Sequence, residues 1–494
     1  MTRVFSEYLR PLSKRDLMIL GAATLFAGVV YLAASAFVYR IGFPLDDSWI
    51  HLTFARNLAV HGEWSFRPGV PSAGSTSPLW SALLSIGFLF RLEPYIWTYL
   101  LGLLAHLALS VVCEVAARRL VPVYSPRIPW VGIFFIVEWH FLWAAMSGME
   151  TLLHALIAAV VLSALMMNSH RYLTLGLLAG LSVWVRPDGL TLLAPIMLAV
   201  LLNEEDMPSR LNGLTRVLIG FGGAFFLYLL FNLLIGGAPM PNTFYAKQAE
   251  YAAWQALPVV KRLRHLLLQL LVGPSFILLP GIVMWTVRSI RARSWGSLLA
   301  LAWSVGYMFL YMLRLPMYQH GRYIMPAMPV FFLFGWLSLL EFASSKTFGR
   351  YHWFADTLWR VSLGSVTVLF FVLGARSYAR DVAFIEQEMV DSAKWAEANL
   401  PPEALIAAHD IGALGYFDDH RLLDLAGLVS PEVIPFIRDE ARLAAYLDES
   451  GADYLIAFAD LYPNMARDKT AVYETNGALE LDEDFLPMTI YRWK

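Results

Sequence analysis

The chain reads Phe43-Pro44-Leu45-Asp46-Asp47-Ser48-Trp49-Ile50-His51 directly after its first long apolar run, residues 17–39. That run is long enough to cross a bilayer, which takes about 20 apolar residues in a helix. Two adjacent carboxyl groups therefore stand where a membrane helix has just ended. Because ionisable side chains at a membrane are costly and commonly functional, this pair is the first site hypothesis.

The composition supports a membrane protein with many spans. Of the 494 residues, 58% are hydrophobic and 15% are charged, whereas about a quarter of an ordinary soluble domain is charged. The net charge of -2 gives no electrostatic reason to expect nucleic-acid binding. The single cysteine, Cys113, excludes a disulfide within the chain.

The apolar runs predict about eleven membrane spans. The basic residues Arg3, Arg10, Lys14 and Arg15 precede the first run, so the positive-inside rule places the N-terminus in the cytoplasm. Alternation then places the loops 41–94, 147–150, 236–262 and 314–322 on the outer side. The predicted spans are 17–39, 95–117, 130–146, 151–167, 172–185, 190–202, 214–235, 266–287, 298–313, 323–340 and 357–373.

The chain divides into a transmembrane domain, 1–375, and a soluble domain, 376–494, on the outer side. In the first outer loop, 41–94, helical spacing of apolar residues predicts an amphipathic helix over 47–60, followed by a short re-entrant or interfacial helix over 78–90. In the soluble domain we expect strands at 405–408 and 454–458 and helices at 391–399 and 431–446. The fold class is therefore mainly α, a membrane helical bundle with a small C-terminal α/β domain.

The Asp46–Asp47 pair has two interpretations. A carboxylate can act as general base on an acceptor hydroxyl, and a second carboxylate beside it raises one of the two pKa values toward the working range. Alternatively, aspartate is a favoured N-cap residue and a helix starts here. Capping accounts for one residue of the pair, which leaves the other for catalysis.

Two further loops carry charges near the membrane. In Val185-Arg186-Pro187-Asp188-Gly189 the flanking runs are short, so the turn should be recessed, where charge is tolerated only in protein or beside a wet cavity. Arg186 and Asp188 either pair locally or contact a ligand. In the loop that contains Asn242, Tyr245 and Lys247, the aromatic and cationic groups either bind substrate or anchor the chain at the interface.

The last outer candidates are His320, Arg322 and Glu150. A cation at the start of a span can bind phosphate or serve as an interfacial anchor. Glu150 either takes part in the site or compensates the dipole of the helix that follows it. Carboxylates and cations together suit transfer of a sugar from a lipid phosphate, because the departing phosphate needs a cation rather than a protein acid. The chain has no P-loop and no His/Cys metal spacing.

The motifs also resemble a known family in their order along the chain. The sequence resembles the GT-C integral-membrane glycosyltransferases that use polyprenyl-phosphate sugars, and most of all the mycobacterial terminal arabinofuranosyltransferases and their bacterial relatives. The motifs that carry the resemblance are Asp46-Asp47-Ser48, Phe54-Ala55-Arg56-Asn57-Leu58, Ser75-Thr76-Ser77-Pro78-Leu79-Trp80, Gly148-Met149-Glu150-Thr151, Arg186-Pro187-Asp188-Gly189, Pro241-Asn242-Thr243-Phe244-Tyr245-Ala246-Lys247, Arg322-Tyr323, Asp410-Ile411-Gly412-Ala413-Leu414-Gly415-Tyr416 and Asp424-Leu425-Ala426-Gly427-Leu428.

The resemblance implies a multi-pass protein of the bacterial inner membrane with its active site on the extracytoplasmic side. It implies inverting transfer of a sugar from a polyprenyl-phosphate donor to a glycan, lipid or protein acceptor. It favours Asp46 as the base, leaves Asp47 as cap or supporting residue, and adds Arg56 and Asn242 to the substrate-binding candidates. No cofactor is expected, and a divalent cation is left open. A transporter or flippase of lipid-linked sugars is the alternative, although such proteins show related halves with paired broken helices.

Overall fold

The computed structural model describes residues 12–344, 349–475 and 486–494. The basic residues Arg3 and Arg10, on which part of the topology prediction rests, lie outside these ranges. The apolar runs form helices throughout. The first ten α-helices are Lys14–Val38 (α1), Asp47–His61 (α2), Pro78–Leu89 (α3), Pro94–Leu120 (α4), Trp130–Val137 (α5), Trp139–Ala145 (α6), Thr151–Met166 (α7), Tyr172–Val185 (α8), Leu193–Asn203 (α9) and Met207–Gly236 (α10).

The bundle continues after a short loop and ends in a long helix. Short 3₁₀ turns at Pro187–Leu192, Gln319–Gly321, Met325–Ala327 and Gly349–Tyr351 join some of its helices. The remaining helices of the bundle are Asn242–Glu250 (α11), Ala252–Gln255 (α12), Val259–Leu271 (α13), Pro274–Arg291 (α14), Trp295–Arg314 (α15), Met328–Ser344 (α16) and His352–Phe384 (α17).

The number of helices that are long and apolar enough to cross a membrane is smaller than the predicted number of spans. Within the described ranges, six helical stretches are long and apolar enough to cross a membrane, or seven if α13 and α14, which meet at 98°, form one bent span. Four further apolar helices are shorter, at 10–17 residues. The count of about eleven spans and their sidedness therefore stay predictions.

One predicted span, 130–146, is broken inside the apolar run. Glu138 separates α5 from α6, and its carboxylate accepts hydrogen bonds from the backbone N–H groups of His140 and Phe141. The first turn of α6 is thus capped by a buried acidic side chain. The backbone of Glu138 is extended, with a ψ angle of 121°, so the regular helix is interrupted at this residue.

Close packing inside the bundle depends on small residues. A Cβ atom on Gly176 in α8 would lie 2.3 Å from the carbonyl oxygen of Val217 in α10, and one on Gly220 would lie 2.3 Å from that of Leu173. The two helices therefore pack backbone against backbone, as small residues permit between membrane helices. This contact holds the turn after α8 in a fixed position.

The C-terminal part is a small α/β domain that continues from the last bundle helix. A π-helical turn, Ile385–Val390, joins α17 directly to the next helix, so the helix runs through the predicted boundary at residue 376. The helices are Asp391–Asn399 (α18), Gly412–Phe417 (α19), Glu440–Ser450 (α20) and Pro463–Ala466 (α21), with a 3₁₀ turn at Pro431–Phe436.

Five strands of this domain form one mixed sheet. A separate two-stranded hairpin, Ser65–Arg67 (β1) and Val70–Pro71 (β2), lies in the loop after α2. The five are Leu405–Ala408 (β3), Arg421–Asp424 (β4), Tyr454–Phe458 (β5), Thr470–Glu474 (β6) and Met488–Arg492 (β7). Their order is β4-β3-β5-β7-β6. Strand β3 pairs in parallel with β4 and β5, and β7 pairs antiparallel with β5 on one side and β6 on the other. The prediction of a helical bundle with a small C-terminal α/β domain is confirmed.

The domain packs on one end of the bundle, which we call the domain end. Helix α2 lies between the two parts and is buried on nearly all sides. The predicted helix is therefore present, but its polar face is covered as well, because α3 and α19 pack against it. Arg56 of α2 donates hydrogen bonds to the carbonyl oxygens of Gly415 and Tyr416, at 3.2 and 2.8 Å, and lies over the Tyr416 ring.

One of the tightest points of this packing is at Gly412, the first residue of α19. A Cβ atom there would lie 2.1 Å from the backbone oxygen of Asp46 and 2.7 Å from its carboxyl group. We expect Gly412→Ala to separate the domain from α2 and to lower the thermal unfolding temperature, since overpacking costs about 1–3 kcal/mol. Gly306→Ala is the control, because a Cβ there meets nothing within 4 Å. Equal unfolding temperatures in detergent for the two variants would contradict the tight fit at Gly412.

Candidate functional site

A cavity of about 350 Å³ lies near the domain end of the bundle. We call it the cationic cavity, because Arg186, Lys247, Arg314 and Arg322 line it together with the acids Asp47, Glu150 and Asp188. The rest of its wall is largely apolar, with Met149, Leu190, Met240, Phe244, Leu310 and Leu315 among the lining residues. The cavity combines an apolar wall with convergent charges, which is the usual character of a ligand site.

Arg186 is fixed by its neighbours in this cavity. Its Nη1 donates to Glu150 at 2.7 Å, its Nε to Asp188 at 3.2 Å, and its Nη2 to the Tyr311 hydroxyl at 2.9 Å. Asp188 also accepts hydrogen bonds from the hydroxyls of Tyr307 and Tyr311. The predicted ion pair of Arg186 and Asp188 is therefore present, within a network that joins α7, the turn after α8 and α15.

Arg322 is held differently and keeps free donors. Its Nη2 donates to Asp47 at 2.6 Å and to the Tyr323 hydroxyl at 3.0 Å. Its Nε and Nη1 are buried and have no hydrogen-bond partner among the described residues. Buried unpaired donors are rare and costly, so these two nitrogens point to an anionic ligand.

Lys247 provides a second cation beside Arg322. Its Nζ donates to the Tyr323 hydroxyl at 3.1 Å and lies 5.3 Å from the centre of that ring. Arg314, at the end of α15, is exposed and has no ion pair among the described residues. Three cations with unused donors thus face the same space, which suits a phosphate group.

Asp47 is the acidic partner in this part of the site. It is the first residue of α2, and its carboxylate pairs with Arg322. Burial alone would raise the pKa of Asp47, but the positive charges of Arg322 and Lys247 lower it to about 2. His51, one helical turn further along α2, lines the same cavity and places its Nε2 3.4 Å from Glu150.

Asp46 has a different environment from its neighbour. Its two carboxylate oxygens accept hydrogen bonds from the backbone N–H groups of Gly412 and Ala413, at 2.7 and 2.8 Å. Burial raises the pKa of Asp46 to about 7, and the nearby Asp410 adds to the shift. Neither aspartate caps α2 through its side chain, because Asp46 occupies the cap position without such a bond. The predicted capping role is thus not found.

The other predicted substrate-binding residues lie outside the cationic cavity. Asn242 donates to the carbonyl oxygen of Leu428 at 3.1 Å, and Tyr245 is 36% exposed. His320 pairs with Asp381 at 2.7 Å in a second cavity, described below. The cationic cavity brings together Asp47, Glu150, Arg186, Asp188, Lys247 and Arg322 from the predicted set.

Among the lining residues that the sequence did not single out are His51, Tyr311 and Arg314. His51 could have been found, because a residue four positions after Asp47 lies on the same helix face. Arg314 stands at the edge of a predicted outer loop and carried the same signal as Arg322. Tyr311 is one aromatic residue within an apolar run, and no neighbouring residue in the sequence marks it as part of a site. Its contact with Arg186 spans 125 positions of the chain.

The described residues also contain one group with metal-ligand spacing. Glu397, Asp418 and His420 lie together in the C-terminal domain, and the Nδ1 of His420 lies 3.0 Å from Asp418. The three residues are not part of the cationic cavity.

Helix α11, which carries Lys247, is tied to the C-terminal domain. Glu250 at its end lies 3.6 Å from His409 Nε2, and its backbone oxygen accepts a hydrogen bond from Arg438. The other ring nitrogen of His409 lies 2.7 Å from the Tyr462 hydroxyl. Burial lowers the pKa of His409, but the carboxylates of Glu250 and Asp410 outweigh it and raise that pKa to about 9.

The raised pKa of His409 gives a prediction for stability against pH. Because the folded pKa of about 9 exceeds the unfolded value of about 6.5, the pair contributes fully below about pH 6.5 and is lost as the pH rises through 9. We expect the unfolding temperature of the native protein to fall between about pH 7 and 10, and that of His409→Gln to fall less. Glu250→Gln should behave like His409→Gln. If the unfolding temperatures of all three proteins changed with pH in parallel, a contribution of the His409–Glu250 pair to stability would be excluded.

Comparisons with known proteins place the fold. The family described as "Domain of unknown function (DUF8728)" matches residues 376–491. No curated protein matches the chain. The crystal structure of ArnT from Cupriavidus metallidurans bound to undecaprenyl phosphate is similar over 98% of this chain and 99% of that chain, with a TM-score of 0.60 and 18% identity.

A second group of similar structures is archaeal. The oligosaccharyltransferase of Archaeoglobus fulgidus in its apo form is similar over 89% of this chain and 69% of that chain, with a TM-score of 0.60 and 11% identity. The structure of AglB from the same organism with an inhibitory peptide and a dolichol-phosphate has a TM-score of 0.57 at 11% identity, with the same coverage. The chain thus has the GT-C type of fold that the motifs led us to expect.

Proposed function

We propose that this protein is a membrane glycosyltransferase that takes a sugar from a polyprenyl-phosphate donor. One observation carries the proposal: buried Arg322, whose Nε and Nη1 have no hydrogen-bond partner among the described residues, lines a cavity with an apolar wall next to the Asp47 carboxylate. A ligand with a phosphate and a long apolar chain satisfies both the donors and the wall. The similar structures bound to undecaprenyl phosphate and dolichol-phosphate support this class of donor.

In this proposal the donor phosphate binds Arg322 and Lys247. The polyprenyl chain runs along the apolar side of the cationic cavity, past Leu190 and Leu310. The cations stabilise the negative charge that develops on the phosphate as the bond from the sugar C1 to the phosphate oxygen breaks. Arg186 acts as a support rather than a ligand, because its three donor nitrogens already bind Glu150, Asp188 and Tyr311.

We propose Asp47 as the general base, in place of the Asp46 that the sequence favours. Asp47 lies beside the phosphate-binding donors, whereas both oxygens of Asp46 hold backbone N–H groups of the C-terminal domain. Asp47 removes the proton of the acceptor hydroxyl while the oxygen of that hydroxyl forms a bond to the sugar C1. The bond from C1 to the phosphate oxygen breaks, and the phosphate leaves with the electron pair of that bond. A single displacement of this kind inverts the configuration at C1.

The low pKa of free Asp47 agrees with this role once the donor is bound. A carboxyl group with a pKa of about 2 is a weak base at neutral pH. The donor phosphate shares the positive charge of Arg322 and Lys247, so it weakens their hold on Asp47. The pKa of Asp47 therefore rises toward the working range only in the complex, when a base is needed.

The remaining assignments follow the resemblance rather than the geometry. We propose that the cavities and the C-terminal domain lie on the extracytoplasmic side of a bacterial inner membrane, and that the acceptor is a cell-envelope glycan, lipid or protein. The likeness to terminal arabinofuranosyltransferases makes a polyprenyl-phosphate pentofuranose the first donor to test. Polyprenyl-phosphate hexoses are the other donors to test, and together with the pentofuranose they form the donor set.

Substitution of each aspartate tests the assignment of the base. We expect Asp47→Asn to lower the transfer rate by about 10²–10⁴ while polyprenyl phosphate still binds, because only the proton acceptor is lost. Asp46→Asn should retain a larger share of the rate, since it alters domain packing. Transfer from the donor set to acceptors in purified membranes is the measurement. A greater loss in Asp46→Asn would return the role to Asp46, and full rates in both would exclude a general base at this pair.

Substitution of the arginines tests the phosphate site. We expect Arg322→Gln to weaken binding of polyprenyl phosphate by at least about tenfold, since a charge-assisted hydrogen bond contributes about 1.5–3 kcal/mol. Arg186→Gln should instead lower the unfolding temperature, because it leaves Glu150 and Asp188 buried without their partner. Binding of decaprenyl phosphate and thermal unfolding are measured on both variants. Unchanged lipid binding in Arg322→Gln would exclude the proposed phosphate site.

A further inference from the structure

A second cavity, of about 490 Å³, shares the lining residue Asp47 with the cationic cavity. We call it the acidic cavity. It lies between the last bundle helix α17, the turn at Gln319–Gly321 and the C-terminal domain. Its polar lining residues are Asp46, Asp47, Gln319, His320, Ser377, Arg380, Asp381 and Asp410, and Trp143, Phe384 and Met389 are among its apolar ones. Of the residues that the structure describes, Asp47 is the one that lines both cavities.

The turn that separates the cavities has an unusual backbone. Gln319, His320 and Gly321 all have positive φ angles, of 51, 58 and 70°. Such angles are costly for residues other than glycine and persist only where the surrounding structure imposes them. The turn directs His320 to the acidic cavity and Arg322, two residues later, to the cationic cavity.

The two cavities differ in charge. Four carboxyl groups line the acidic cavity, against Arg380 and His320. Asp381 is satisfied by His320 at 2.7 Å and by the indole N–H of Trp143 at 2.8 Å. Asp410 has no hydrogen-bond or ion-pair partner among the described residues, although it lines the cavity. A ligand here therefore meets one carboxylate, that of Asp410, that still lacks a donor among the described residues.

We propose that the acidic cavity binds the acceptor and that the acceptor group is an uncharged carbohydrate rather than an anionic one. This inference rests on the proposed function. A single displacement requires the acceptor to approach C1 from the side opposite the phosphate. Asp47 lines both cavities, so it can reach an acceptor in one and a donor in the other. Sugar hydroxyls donate to carboxylates such as Asp410, whereas a phosphate or carboxylate on the acceptor would be repelled.

The volume agrees with a small group rather than a whole polymer. Cavities that hold small ligands measure about 300–1,000 Å³, and the acidic cavity falls within this range. Its aromatic walls, Trp143 and Phe384, offer apolar surface for the faces of a sugar ring. The acceptor therefore places its terminal sugar in the cavity, and the remainder extends away from the bundle.

Charged thiol reagents test this inference without knowledge of the sugar. The one native cysteine, Cys113, is buried, so an introduced cysteine is the reactive one. Ser377→Cys reports on the acidic cavity, and Gln248→Cys is the matched variant in the cationic cavity. The full chain in lipid nanodiscs is treated with a cationic trimethylammonium-ethyl or an anionic sulfonatoethyl methanethiosulfonate. We expect Ser377→Cys to react faster with the cation, by on the order of tenfold, and Gln248→Cys to show the opposite order.

Protection experiments then separate the two ligands. Methyl glycosides of glucose, galactose, mannose and arabinose should slow the modification of Ser377→Cys and leave Gln248→Cys unchanged, whereas decaprenyl phosphate should do the reverse. The acceptor inference is overturned if the anionic reagent is as fast as the cationic one at Ser377→Cys, or if no glycoside protects it. Failure of decaprenyl phosphate to protect Gln248→Cys counts instead against the proposed donor and thus against the proposed function.

Discussion

The ion pair between Asp47 and Arg322 is the contact on which the rest of the site depends. It joins the start of α2, close to the N-terminus, to the turn that precedes α16, 275 positions later in the chain. Its position fixes the wall between the cationic and the acidic cavity. Because Asp47 satisfies only part of the Arg322 guanidinium, the pair both holds the wall and leaves donors for an anion. An arginine whose donor nitrogens are all hydrogen-bonded, such as Arg186, could not offer donors to an anion.

The C-terminal domain completes the site rather than standing apart from it. Asp46 holds the first turn of α19 through two backbone N–H groups, and Arg56 holds the last. His409 and Arg438 hold the end of α11, which carries Lys247. Separation of the domain would therefore displace both a carboxylate and a cation of the site. This explains why the C-terminal domain, which has few conspicuous motifs, is joined so closely to the helical bundle.

Much of the local structure could be read from the sequence. The helix at Asp391–Asn399 and the strands Leu405–Ala408 and Tyr454–Phe458 have the predicted bounds, because their apolar and polar patterns are clear. The single helix expected over 431–446 is instead a 3₁₀ turn and then α20, since Pro435 interrupts the regular bonding. The break at Glu138 had a signal, an acidic residue within an apolar run, that the span prediction passed over.

The division of roles within the aspartate pair could not be read in this way. The sequence shows two equivalent neighbours, and the difference arises from Gly412 and Arg322, which lie hundreds of positions away. The same holds for Arg186 and Arg322, two arginines beside short helices. All donor nitrogens of Arg186 have hydrogen-bond partners, whereas two of those of Arg322 have none among the described residues. Long-range contacts decide which charges are free, and a single sequence does not contain them.

The most direct test of the account is a structure of the protein with bound decaprenyl phosphate. We expect the phosphate oxygens within hydrogen-bond distance of Arg322 Nε or Nη1 and of Lys247 Nζ, with the chain against Leu190 and Leu310 and the Asp47 carboxylate beside the vacant sugar position. A phosphate bound in the acidic cavity, or one that leaves both Arg322 nitrogens unpaired, would contradict the account.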